Sequence, residues 1–180
     1  MVDGVAELAE GDTYFMGEHI NNRRIGCGVF QSPSIRVESE KFEDNSFCGF
    51  CIVTTDSTKV FGNHEEGRRE GIAWEKLRND TGTSFIGMFY HGVRKGVGSE
   101  QIRGIEITSG LWKSDNELED GYCYFRTKDV AEYSGYAING AKEGIGRFVS
   151  EGANSYLVEG QFRKDYIHGF CKIVYGQSYY

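Results

Sequence analysis

The sequence predicts an all-β protein: an elongated, twisted antiparallel meander of β-hairpins stacked in a single layer. Three observations predict it. Glycine supplies 25 of 180 residues, roughly twice ordinary usage. Proline occurs once, and Val, Ile, Phe and Tyr dominate the apolar residues, a bias toward strands and tight turns rather than helices. Finally, glycines recur in pairs nine residues apart, with a turn-forming residue at a fixed place inside each pair.

The pairs define the units. Phe15-Met16-Gly17 is followed nine residues later by Gly26-Cys27-Gly28, and the same step joins Gly62 to Gly71, Gly87 to Gly96, Gly135 to Gly144 and Gly160 to Gly169. Gly110 and Gly121 lie eleven apart, which reads as two residues inserted in a turn. A degenerate unit puts Glu40 in the first slot and Gly49 in the second. First slots thus fall at 17, 40, 62, 87, 110, 135 and 160, an array of seven units.

Other slots repeat in register. Five residues past the first slot stand Asn22, Asn45, Gly67, Gly92, Asp115, Gly140 and Asp165, all residue types that tolerate positive φ and make a tight hairpin turn. After the second glycine comes a large apolar residue (Phe50, Ile72, Val97, Tyr122, Ile145, Phe170, with Cys27 the smaller member). A small one follows it: Gly28, Cys51, Ala73, Gly98, Cys123, Gly146 or Cys171. Each unit therefore reads strand, tight turn, strand, then a polar outer turn such as residues 54–57, 79–82 or 151–154.

Period-two alternation places the small slot on one face with the slot two beyond it, where Phe30, Val53, Phe125, Phe148 and Ile173 stand and Glu75 and Glu100 break the pattern. A small residue at this place lets an aromatic ring of the neighbouring hairpin lie against the backbone. A lone hairpin is marginal in water, so stacking is what stabilises each unit. Residues 4–8 match the second half of a unit, with Ala6 small and Leu8 apolar, and residues 176–180 match the opening of an eighth. The expected organisation is one repeat domain over 1–180: a half-unit at 1–12, seven units over about 13–175 and a partial unit at 176–180.

Net charge is −7 with a pI near 5.2, which argues against nucleic acid as a partner. No apolar run approaches the ~18 residues of a membrane span, and nothing reads as a signal peptide. Five cysteines, an odd number, fit reduced thiols in an intracellular, cytoplasmic protein.

Tyr133-Ser134-Gly135-Tyr136 followed by Asn139-Gly140-Ala141-Lys142-Glu143-Gly144-Ile145-Gly146-Arg147-Phe148 resembles the MORN repeat, whose pattern is an aromatic, any residue, glycine, then a turn and G-x-G with a following aromatic. Residues 85–98 and 15–30 match well too, and the units at Gly62 and Gly160 match with Ala73 and Cys171 in place of the last glycine. The resemblance covers nearly the whole chain. It implies an extended hairpin array with an interaction role: a non-catalytic scaffold or adaptor that binds other proteins along one face, in a larger assembly of the cytoskeletal or ciliary kind. It leaves two alternatives, a peripheral adaptor for anionic membranes and the targeting or regulatory module of a larger enzyme.

No grouping reads as catalytic, and no cofactor or metal is expected. Cys48-Gly49-Phe50-Cys51 is a lone C-x-x-C, and Cys51 fills the small slot that Ala73 and Cys123 fill elsewhere, so packing explains it without zinc or redox chemistry. His19 and His64 stand in the same slot as the aromatics and read as packed residues. Two candidate surfaces remain. Arg23, Arg24, Arg68, Arg69, Arg94, Lys95 and Lys142 follow the hairpin turns and would line one edge with basic charge, suited to an acidic protein or to lipid headgroups. Phe42, Phe89, Trp112 and Phe162 form an aromatic row, which reads either as internal packing or as a groove for a protein partner. The terminal strands add end-to-end self-association, or pairing with a partner's strand.

Overall fold

A computed structural model describes residues 4–78, 82–128, 131–152 and 154–176. The described residues are all-β, with no helix and sixteen strands. They fall into two compact units, Met1–Val93 and Arg94–Tyr180.

In the first unit, β1 (Gly4–Glu10), β2 (Thr13–Ile20), β3 (Arg23–Gln31), β4 (Ile35–Glu43), β5 (Ser46–Thr55), β6 (Thr58–Glu65), β7 (Arg68–Leu77) and β8 (Ser84–Tyr90) pair antiparallel in chain order. In the second, β9 (Val93–Ile102), β10 (Glu106–Ser114), β12 (Gly121–Arg126), β13 (Ala131–Ile138), β14 (Ala141–Ser150), β15 (Tyr156–Arg163) and β16 (Tyr166–Tyr175) do the same. The two-residue β11 (Glu117–Leu118) folds back onto β10 and takes up the insertion before Gly121. Each unit is thus an open, single-layer antiparallel meander.

Turn chemistry sets the hairpins. Asn21-Asn22, Asp44-Asn45, Glu66-Gly67, His91-Gly92, Asn139-Gly140 and Lys164-Asp165 all have φ between 48° and 87° at both positions, the type I′ geometry whose twist suits paired strands. Asp115 is the exception among the seven turn slots, and β11 follows it directly. The second glycine has a separate cause. Gly26 (φ 59°) and Gly144 (φ 63°) are left-handed and lie where the register shifts, so this slot marks a glycine bulge.

The register runs small on small. Gly17 faces Gly28, Gly28 faces Ser39, Ser39 faces Cys51, Cys51 faces Gly62 and Gly62 faces Ala73. Ser39 therefore fills the slot that the sequence assigned to Glu40. The cause is a bulge between Ser39 and Lys41 that leaves Glu40 unpaired in the ladder, with its Oε1 accepting the Phe50 N–H at 2.9 Å. Ser39 can sit in a buried line because its Oγ donates to the Lys41 carbonyl and meets Cys51 Sγ at 3.1 Å.

Bulky residues flank the small line on the inner face. Phe15, Val37, Val60 and Phe85 lie on one side in the first unit, and His19, Phe42, His64 and Phe89 on the other, all buried. Phe15 meets His19 and Phe42 edge-to-face, with centroids 4.9 Å apart in both pairs. In the second unit Tyr133 packs against Phe162 at 5.5 Å in a core with Cys123, Ala137 and Val158. The ring over the small line comes from the same hairpin, not from the neighbouring one as the sequence suggested. A Cβ on Gly17 or Gly28 would lie 2.6 Å from Phe15, and one on Gly135 or Gly146 would lie 2.5 Å from Tyr133.

The β1 register sets Ala6 opposite Gly17 and Leu8 opposite Phe15, as expected for the second half of a hairpin. Asn79, Asp80, Thr81, Ala153 and residues 177–180, which the sequence assigned to outer turns and a partial eighth unit, lie outside the described residues.

Candidate interaction surfaces

Neighbouring residues of a strand point to opposite faces, and this divides the basic edge. Arg24, Arg69, Arg94 and Lys142 turn inward. Arg24 lies 4.5 Å from the centroid of Phe30, and its burial lowers its pKa. Arg69 lies 4.5 Å over Phe89, pairs with Glu75 and donates to the Gly92 carbonyl at 2.8 Å. Arg94 is buried over Trp112, pairs with Glu100 at 2.7 Å and donates to the Asp115 carbonyl. Lys142 lies over Tyr133 and Phe148 and pairs with Asp165 at 3.2 Å. Glu75 and Glu100, the two apparent breaks in the apolar slot, are thus the partners of these arginines.

Arg23, Arg68 and Lys95 are exposed, and Arg23 is paired with Asp44 at 2.6 Å. The seven basic residues do not form one segregated edge. Most of their charge is neutralised locally or held against aromatic rings.

The aromatic row is core. Phe42 and Phe89 are each 2 % exposed, and Trp112 and Phe162 are each 4 %. Of the two readings the sequence left for this row, internal packing is the one that fits, and no partner can reach these rings. Burial also explains His19 and His64. The His64 Nδ1 lies 3.0 Å from the Gly62 carbonyl, and desolvation holds its pKa below the usual histidine range.

The turn slot does more than reverse the chain. The N–H groups of Asn45, Gly67, Gly92 and Asp165 donate to the carbonyls of Arg24, Phe47, Arg69 and Lys142, one hairpin earlier, at 2.9–3.2 Å. In return the side-chain oxygens of Asn45, Asp115 and Asp165 each accept the N–H of Arg24, Arg94 and Lys142 at 2.9 Å. These five turns therefore staple their hairpins to the previous ones. Asp165 accepts from both the Lys142 N–H and its ammonium, and its pKa is lowered.

The cysteines are all free thiols. Burial raises the pKa of Cys51, and that of Cys123 is pushed up to about 11. Cys48 is raised as well, mainly by desolvation. Such thiols stay protonated and make poor nucleophiles or metal ligands. Among the described residues, no group of three or more His, Cys, Asp or Glu could hold a metal ion. Cys171, expected to be packed, is exposed on β16.

The residues left accessible are those of the slot beside the small line. Phe50, Ile72, Val97, Tyr122, Ile145 and Phe170 are all exposed on the outer face. In the first unit Ile72 faces Met88 across the β7–β8 ladder. In the second, Val97 faces Leu111 and Tyr122 faces Tyr136. Sequence reasoning noted this slot as large and apolar but gave it no role. Its offset of one residue from the small slot was the signal that it faces outward.

Compared with known proteins, the chain matches no family model, and no curated protein matches it.

Proposed function

We propose that this chain is a non-catalytic MORN-type scaffold that binds other proteins, with the outer face rather than the inner one as the contact surface. The observation that carries this reading is the row of exposed apolar side chains, one per hairpin, on a sheet whose opposite face is filled by its own rings. In the first unit Phe50, Ile72, Ile86 and Met88 lie on this face, and exposed apolar clusters of this kind mark interaction sites. Residues 1–93 carry nine basic and fifteen acidic side chains, a net −6. The partner that suits this unit is a protein with an apolar contact strip bordered by basic residues.

The membrane reading has less support, because Arg24, Arg69, Arg94 and Lys142 are held by rings and carboxylates. A test compares capture of proteins from the native cell by wild type and by Ile72→Asp, alongside co-sedimentation with phosphatidylserine vesicles. The scaffold reading expects a specific protein that is lost with Ile72→Asp, and no vesicle binding. Vesicle binding that disappears in Arg23→Glu with Arg68→Glu, with no captured protein, would replace it with the lipid reading.

A further inference from the structure

The outer face of the second unit differs from that of the first in charge. Val97 (68 % exposed), Leu111 (41 %), Tyr122 (70 %), Tyr136 (45 %), Ile145 (74 %) and Phe170 (91 %) run across its strands. Val97 and Leu111 are direct cross-strand neighbours, as are Tyr122 and Tyr136, at the spacing of adjacent strands, while Gln161 faces Ile145 on β15 and separates it from Phe170 on β16. Hydroxyl-bearing Ser99, Ser109, Tyr124 and Ser134 occupy the next outward-facing positions along β9, β10, β12 and β13. Fixed charge is therefore sparse on this flank, while the exposed Lys95 and Lys113 stand on the other.

We infer that this face docks against the same face of a second copy of the chain, giving a two-layer sandwich of sheets. Three features favour a copy as the occupant. An aromatic side chain buries about 150–250 Å², so at these exposures the stripe offers on the order of 700 Å², close to the ~800 Å² per partner of a standard interface. Residues 94–180 carry eleven basic and twelve acidic side chains, a net −1, so like faces meet without the repulsion that opposes self-pairing of the first unit at −6. Finally, an apolar row on one face of an open sheet has the geometry that face-to-face sheet packing uses, with side chains of the two layers interdigitating ~10 Å apart. This contact differs from end-to-end strand pairing, which would use sheet edges, and it does not depend on the scaffold reading.

Sedimentation velocity on the full chain tests it. Wild type is expected to be dimeric by about 100 μM, above the micromolar end of the range for interfaces of this size. Tyr122→Lys with Ile145→Lys is expected to be monomeric with an unchanged far-UV spectrum, and Phe170→Lys alone, at the most exposed position of the six, should weaken the dimer at least tenfold. A wild-type monomer at that concentration would overturn the inference. So would a dimer that survives all three substitutions, or one dissolved by Ile72→Lys on the first unit instead.

Discussion

Arg69 and Glu75 form an ion pair on the inner face of the first unit, under one-quarter exposed on either side, with the guanidinium stacked on Phe89. The same two slots hold Phe47 and Val53 one hairpin earlier, and Leu118 and Phe125 in the second unit. Charge and hydrocarbon are alternative ways of filling one space. Truncating a single partner leaves the other charge half-buried and unpaired, so Glu75→Leu should lower the unfolding free energy by about 1–3 kcal/mol, less than for a fully buried pair. Arg69→Phe with Glu75→Val, which copies the preceding hairpin, should recover most of that loss in urea titrations. A double variant as unstable as the single one would mean that the pair is not interchangeable with its apolar counterpart.

The turn slots can be separated from packing at Gly140. Its φ is 75°, and a Cβ added there would meet nothing within 4 Å. Gly140→Ala therefore isolates backbone strain and should cost about 1–2 kcal/mol, while Gly140→Asn, the residue type found at Asn22 and Asn45, should cost clearly less. Equal losses in thermal unfolding would show that the left-handed geometry is not what this slot requires.

His64 gives the fold an acid sensitivity with a definite sign. Its pKa is lowered in the folded state, chiefly by burial, so the unfolded chain takes up a proton near pH 6.5 that the native chain resists. The stability it supports is complete above about pH 6.5 and falls as pH drops through the depressed native value. His64→Phe, which places a ring of the Phe42 kind in the slot, should flatten the pH 5–7 segment of the stability curve. An unaltered slope would place the proton uptake elsewhere.

Thiol accessibility should divide the cysteines by burial. Cys27 and Cys171 are exposed, whereas Cys51 and Cys123 are buried with raised pKa values. Brief maleimide labelling followed by mass spectrometry should modify the first two and reach the second two only after denaturation. Rapid labelling of Cys51, or its oxidation to a disulfide with Cys48, would contradict a packing role for the C-x-x-C.

Much of the fold was legible because the repeat is written in residues with narrow conformational roles. Six of seven turn slots have positive φ, and the small slots meet in register across the strands. Glu40 was misplaced because a bulge adds one residue without any compositional mark, and the step to Gly49 still equals nine. The surfaces were harder to read. A single-layer sheet carries apolar residues on both sides, and although the one-residue offset of Phe50 from Cys51 sets them on opposite faces, composition does not mark the Phe50 side as the open one. Adjacent pairs such as Arg23-Arg24 and Arg68-Arg69 looked like clusters, yet alternation sends their members to opposite faces.

The sheet of each unit has one closed face and one open face, and in the second unit residues 145 and 146 sit back to back. Gly146 lies under the Tyr133 ring, while Ile145 is 74 % exposed. Thermal unfolding of Gly146→Leu and Ile145→Lys compares the two faces directly. The leucine must displace the ring, so a loss of about 1–3 kcal/mol is expected, a drop of roughly 2–10 °C for a chain of this size. The lysine is expected to leave the monomer's melting temperature unchanged. A stable Gly146→Leu beside a destabilised Ile145→Lys would contradict the assignment of faces on which every surface described above depends.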